Sequence, residues 1–180
     1  GIMRWLHERG HGFPTGIVNV PIVPAAVLFD LSVGAVAWPD AALGYAACEA
    51  AQSSMPVQWG RIGAGTGATV GKALGLDRSS PGGVGYASMT LADSTVVAAV
   101  VAVNGLGHVV DPATNTIIAG PRLDDGVFAD SVQLMLQGSI PTPIGTNTTI
   151  GCIITTAHLD KAACCRIASM AHDGLARTIR

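Results

Sequence analysis

A threonine hydroxyl at the mouth of a buried strand can act as a nucleophile. The stretch "GTNTTIGCIITT", residues 145–156, places three such hydroxyls, Thr146, Thr148 and Thr149, in front of a β-branched run. A hydroxyl is a weak nucleophile, but a freed α-amine is a suitable base once the preceding peptide has been cut. Its reference pKa of ~7.7–8.0 leaves it partly neutral at working pH. Asn147-Thr148-Thr149 is also ordinary turn chemistry, in which side chains bond to nearby backbone. Residue types alone leave both readings open.

Lys72 stands in "GAGTGATVGKALG", residues 63–75. A lysine near a hydroxyl nucleophile can help to activate it. The glycines around it also invite phosphate readings, since Gly63, Gly65 and Ala68 formally satisfy the dinucleotide pattern. That pattern needs a strand before it, and "SMPVQWGRI" carries Pro56 and Gly60. It also needs an acidic residue about 20 positions on, after a second strand, and none is well placed. The Walker A pattern fails because Thr66 stands where its first glycine belongs and Ala73 replaces the Ser/Thr. The remaining reading is a tight glycine loop that brings the backbone close to another element.

Several function classes are disfavoured by composition. A net charge of -2 and the lack of any Lys/Arg cluster give no reason for a nucleic-acid partner. The longest apolar runs, such as "TVVAAVVAV", are about half a bilayer span, so no membrane association is expected. No signal-like apolar stretch is visible in "GIMRWLHERGHG", and a cytoplasmic location is expected. Cys48, Cys152, Cys164 and Cys165 form no C-x-x-C pair and read as buried thiols, while the five histidines are scattered singly. Neither a metal nor an organic cofactor is implied. With 49% hydrophobic and only 12% charged residues, much of the chain should be interior, in a layered fold or against further chain. Its ends read as those of an internal piece of something longer.

These residues need elements to position them. Apolar Ile2, Met3, Trp5 and Leu6 predict the end of a helix closed by Gly10, and "GIVNVPIVPAAVLFDL" a short strand interrupted by Pro21 and Pro24. A small-residue helix is expected over 40–51. Two or three antiparallel strands should run through residues 86–115, with turns at Ala92-Asp93 and Asn104-Gly105. Residues 126–138 read as a helix or a loop over the core, and residues 149–156 as a strand. Asp160 should then cap a helix over 161–177 that packs a stripe of Ala163, Ile167, Met170 and Ala171. Strands grouped with helices to one or both sides imply layered α/β packing.

The ordered set "GAGTGATVGK", "GGVGYAS", "VAVNGLGHVVDP" and "NTTIGCIITTAHLDKAACCRIASMAHDGLARTIR" is similar to the DmpA-type family of L-aminopeptidases/D-esterases, which includes nylon-oligomer hydrolases. The similarity runs through nearly the whole chain. It implies an αββα sandwich of the kind shared with ornithine acetyltransferases, and a single, incomplete N-terminal-nucleophile domain over residues 1–180. Such proteins mature by cutting their own chain directly before a Ser or Thr. Carried over, the cut falls between Asn147 and Thr148, and Thr148 becomes the nucleophile, matching better than Thr146 or Thr149. The family's oxyanion-binding Asn falls on Asn104, a contact worth about 3–4 kcal/mol where it operates. The lysine beside the nucleophile falls on Lys72. Two positions depart from the pattern: Phe29 stands where a Tyr assists the oxyanion, and Pro81 where relatives have Lys. The family's downstream acidic pair would lie beyond Arg180. The resemblance implies a small peptide, amide or ester as substrate and a homo-oligomer as the assembly. Its alternatives are an acyltransferase of the ornithine acetyltransferase type, or a member that neither cuts itself nor catalyses.

Overall fold

The computed structural model describes residues 1–51, 56–138 and 146–180 as a mixed α/β chain in two compact units. The first unit comprises residues 1–27 and 34–57. It holds helix α1 (Ile2–Glu8), a short antiparallel pair of β1 (Phe13–Pro14) and β2 (Asn19–Val20), and helix α2 (Ala41–Ala50). Asp40 caps α2 by accepting from the Leu43 N–H at 2.8 Å. The small residues of α2 let α1 approach closely, so Gly1 lies against the backbone at Ala41 and Tyr45. Tyr45 Oη donates to Glu8 at 2.6 Å, and the Arg9 guanidinium bonds Glu49 at 2.6 Å while lying 4.1 Å over the Trp5 ring. After β2 the chain runs without regular structure, as Pro21 and Pro24 require.

The second unit comprises residues 28–33 and 58–180. Its glycine segment carries the short strand β3 (Thr69–Val70), which pairs antiparallel with β4 (Ser80–Pro81). The main sheet is formed by β5 (Gly83–Thr90), β6 (Val96–Asn104) and, later in the chain, β9 (Thr148–Thr155), antiparallel in the order β5-β6-β9. The β5–β6 turn is built as its residues dictate: Asp93 accepts from the Thr95 N–H at 2.9 Å, and Ser94 takes a positive φ. Between β6 and β9 lie β7 (Val109–Val110), β8 (Ile117–Ala119) and helix α3 (Ser131–Leu136), capped by Asp130. Helices α4 (Lys161–Met170) and α5 (His172–Thr178) follow β9.

Two expectations are corrected. The helix over 161–177 is two helices that meet at Ala171. The His172 ring competes for the carbonyls of Ala168 and Ser169, and the Gly174 N–H donates to the Ala171 carbonyl at 3.1 Å, three residues back instead of four. Its inward stripe is Ala163, Ile167 and Ala171, whereas Met170 is 58% exposed. The cysteines are not buried: Cys152, Cys164 and Cys165 are exposed and Cys48 is half-buried. Cys164 and Cys165 lie beside the inward stripe of α4 rather than on it, and Cys152 lies on an exposed part of β9.

Close backbone approach explains the glycines around Lys72. A Cβ on Gly65 would lie 2.5 Å from the Val84 nitrogen, and one on Gly71 only 2.3 Å from the Gly120 carbonyl carbon. Gly71 also takes φ +72°. The loop is laced to its surroundings by Gly71 N–H to Gly107 O and Lys72 N–H to Leu106 O, both at 2.9 Å. Short 3-10 turns, not an α-helix, follow these glycines, so the segment lacks the helix N-terminus on which a dinucleotide pyrophosphate would rest.

Candidate active site

The register of the main sheet sets Asn104, the last residue of β6, directly opposite Thr148, the first of β9. Cross-strand partners present their side chains on the same face, with Cβ atoms about 4.5–5.5 Å apart. Alternation along a strand sends Thr149 to the other face, with its partner Val103. The sheet therefore separates the two threonines that are adjacent in the sequence.

Asn104 is 1% exposed, and its amide is fully engaged. Oδ1 accepts from the Thr69 N–H at 3.0 Å and from Lys72 Nζ at 2.7 Å. Nδ2 donates to the carbonyls of Phe29 at 2.9 Å and Thr146 at 3.2 Å. Two donors on one side and two acceptors on the other leave the amide one orientation. Asn104 thus grips the carbonyl one residue upstream of Asn147. To serve an oxyanion, it would have to exchange that partner.

Lys72 is the second hub. Its Nζ donates to Asn104 Oδ1 and to three further oxygens: the carbonyls of Asn104 and Thr146, both at 3.2 Å, and Asn147 Oδ1 at 3.1 Å. Burial pushes its pKa down to about 8. Four acceptor oxygens oppose that shift, because a neutral amine has fewer N–H groups to give them. Lys72 is therefore a cation at neutral pH. No carboxylate pairs with it among the described residues.

The structure thus brings Lys72, Asn104, Asn147 and Thr148 to one end of the sheet. Phe29 takes part through its backbone carbonyl, so its side-chain type does not enter that contact. Pro81 lies in β4, opposite Thr69. Two contributors leave no mark in the sequence: the Thr69 N–H that orients Asn104, and Asp30, whose carboxylate accepts from the Gly67 N–H at 3.0 Å. Backbone donors carry no side-chain signal, and Asp30 belongs to no motif. Beside the site, an open groove of about 470 Å³ is lined by Trp59, Val70, Val84, Tyr86 and Val103, but by none of the four site residues. Among the described residues, no group of His, Cys, Asp or Glu is placed to hold a metal ion, and no helix is long and apolar enough to cross a membrane.

The family model described as Peptidase family S58 matches residues 1–180. An uncharacterized aminopeptidase of Mycobacterium tuberculosis is 44% identical over 196 residues, covering 100% of this chain and 52% of that protein. An uncharacterized aminopeptidase of Mycobacterium leprae is 44% identical over 192 residues, with 51% of it covered. A 6-aminohexanoate-oligomer endohydrolase of Paenarthrobacter ureafaciens is 32% identical over 171 residues, covering 92% of this chain and 47% of that enzyme. The chain spans about half the length of these curated relatives.

Proposed function

The chain belongs to peptidase family S58, and from that premise we propose that its full-length protein is a self-processing hydrolase that uses Thr148 as an N-terminal nucleophile. In the first step Thr148 Oγ attacks the Asn147 carbonyl carbon. An Oγ–C bond forms, the C–N bond breaks, and the hydroxyl proton passes to the departing nitrogen. Water then opens the ester, leaving a carboxylate on Asn147 and a free amine and hydroxyl on Thr148. In turnover the α-amine takes the Oγ proton as Thr148 attacks a small peptide, amide or ester, the amine or alcohol beyond the N-terminal residue leaves with that proton, and water then frees the residue from its ester on Thr148. A cationic Lys72 nearby lowers the amine's pKa and keeps more of it in the neutral, basic form. Asn104 donates to the oxyanion after giving up the Thr146 carbonyl.

One observation carries this reading: Lys72 Nζ bridges Asn104 Oδ1 at 2.7 Å and Asn147 Oδ1 at 3.1 Å, with Thr148 in register opposite Asn104. The relatives named as aminopeptidases and as an oligomer hydrolase support amide-bond chemistry. An αββα sandwich is supported by the sheet itself, where Met89 on one face is 66% exposed and Ile154 on the other 52% exposed, so that each face would suit a covering layer. The same apolar exposure supports a homo-oligomer. The free thiols of all four cysteines support a reducing, cytoplasmic setting.

Denaturing gels and N-terminal sequencing of the full-length protein test the reading. Wild type should give two bands, the downstream one starting at Thr148. Thr148→Ala should give one band and no hydrolysis of aminoacyl amides, while Thr148→Ser should still cut. An uncut wild type, with Thr148→Ala equally active, would refute it.

A further inference from the structure

We propose that the Asn147 side chain is a positioning residue for the cut at its own C-terminal side, tethering the residue before the scissile bond to Lys72 so that its carbonyl carbon is presented to Thr148 Oγ. The proposal rests on the self-processing reading above and adds a role for a side chain that enters that reading only as one end of a bond.

An ammonium has three N–H groups, and four oxygens lie within 2.7–3.2 Å of Lys72 Nζ. Two belong to Asn104, which is buried and fixed by the Thr69 N–H and the Phe29 carbonyl. The other two are the Thr146 carbonyl and Asn147 Oδ1. The Lys72 backbone is itself tied to Leu106 by its N–H. Lys72 is thus a fixed post, and Asn147 is moored to it.

On its other side Asn147 runs directly into β9, where Thr148 is held in register with Asn104. The peptide between Asn147 and Thr148 is therefore restrained at both ends, by a side-chain mooring upstream and by the sheet downstream. Such restraint matters because attack requires the hydroxyl and the carbonyl carbon in one orientation, and a misplacement of about 1 Å can slow a reaction about 100-fold. The remaining amide nitrogen of Asn147 donates to Thr146 Oγ1 at 3.3 Å. With both ends of the amide engaged, Nδ2 is held back from its own main-chain carbonyl. That attack would cut the same bond but leave a cyclic imide on Asn147.

The mooring makes the cut depend on the charge of Lys72. Lys72 faces amide and carbonyl oxygens, and no charged side chain contributes to the shift that burial imposes on it. A carboxylate at position 147 would face it directly and raise its pKa.

Three full-length proteins provide the test: wild type, Asn147→Ala and Asn147→Asp, each followed from the uncut precursor over a range of pH. Asn147→Ala should process about 10- to 100-fold more slowly, with an unfolding midpoint lowered by less than about 1 M urea when both chains also carry Thr148→Ala, since the Lys72 ammonium keeps three oxygens for its three N–H groups. Asn147→Asp keeps an acceptor on Lys72, so it should process, with the alkaline fall in rate moved to higher pH. The wild-type upstream fragment should end in a free carboxylate. Cutting of Asn147→Ala at the wild-type rate would overturn the proposal, as would Asn147→Asp as slow as alanine, or a wild-type fragment lighter by one water. A wild type that never cuts at this bond would defeat the self-processing reading itself. Normal wild-type cutting with an unaffected Asn147→Ala would defeat only the mooring.

Discussion

Replacing Asn104 with alanine removes four hydrogen bonds from a residue that is 1% exposed. The Thr69 N–H is left buried without its acceptor, a loss of about 1–3 kcal/mol, and the charged bond from Lys72 is worth about 1.5–3 kcal/mol. The Phe29 and Thr146 carbonyls each lose a neutral donor worth about 0.5–1.5 kcal/mol. The Lys72 ammonium keeps three other oxygens, and water can enter the vacated space, so the lower end of this sum applies, about 3–4 kcal/mol. Against a typical stability of about 5–15 kcal/mol this is a large fraction. With a urea slope of about 2 kcal/mol per molar, the midpoint should fall by about 1.5–2 M. The measurement is urea unfolding of full-length protein carrying Thr148→Ala in every sample, so that cutting does not enter the comparison. Asn104→Leu, which nearly preserves volume, should be destabilised comparably, because the loss is of polar partners and not of packing. A midpoint shift below about 0.3 M for Asn104→Ala would refute the claim that this amide organises the site.

Two further outcomes follow from Lys72 and its loop. Burial lowers the Lys72 pKa from 10.5 to about 8. Between those values the unfolded chain binds a proton that the folded one does not, so Lys72's contribution to stability should rise as pH climbs from about 8 to 10.5. With Thr148→Ala in both proteins, chemical denaturation across that range should show the rise with Lys72 present and lose it in Lys72→Met, and identical slopes in the two would refute the burial argument. Calorimetric titration with NAD, FAD or ATP should show no binding, since the glycine loop is followed by 3-10 turns and not by an α-helix. Micromolar affinity for any of them would overturn that assignment.

Local chemistry makes some elements legible in the residues themselves. Asp40 and Asp160 announce helix starts because a carboxylate accepts from the orphan N–H groups of a first turn, and both do so here. Pro21 and Pro24 forbid a continuous strand, and Asp93 marks a turn because its side chain bonds the backbone two residues on. The break at Ala171 is not legible, because the His172 ring's competition for two carbonyls depends on its rotamer. The exposure of the cysteines is not legible either, because burial is decided by what packs on a surface and not by residue type. Within the site, the sequence by itself supplied the candidate types, a hydroxyl, an amide and a lysine, and the order of motifs that picked out Thr148. Only the tertiary structure separated Thr148 from Thr149, since facing depends on strand register, which is set by pairing with β6. Only the tertiary structure, likewise, joined Lys72, Asn104 and Asn147 and recruited the Thr69 N–H and Phe29 carbonyl. Those contacts span 32 to 75 residues of chain and partly use backbone atoms common to every residue, so they leave no pattern in the sequence to read.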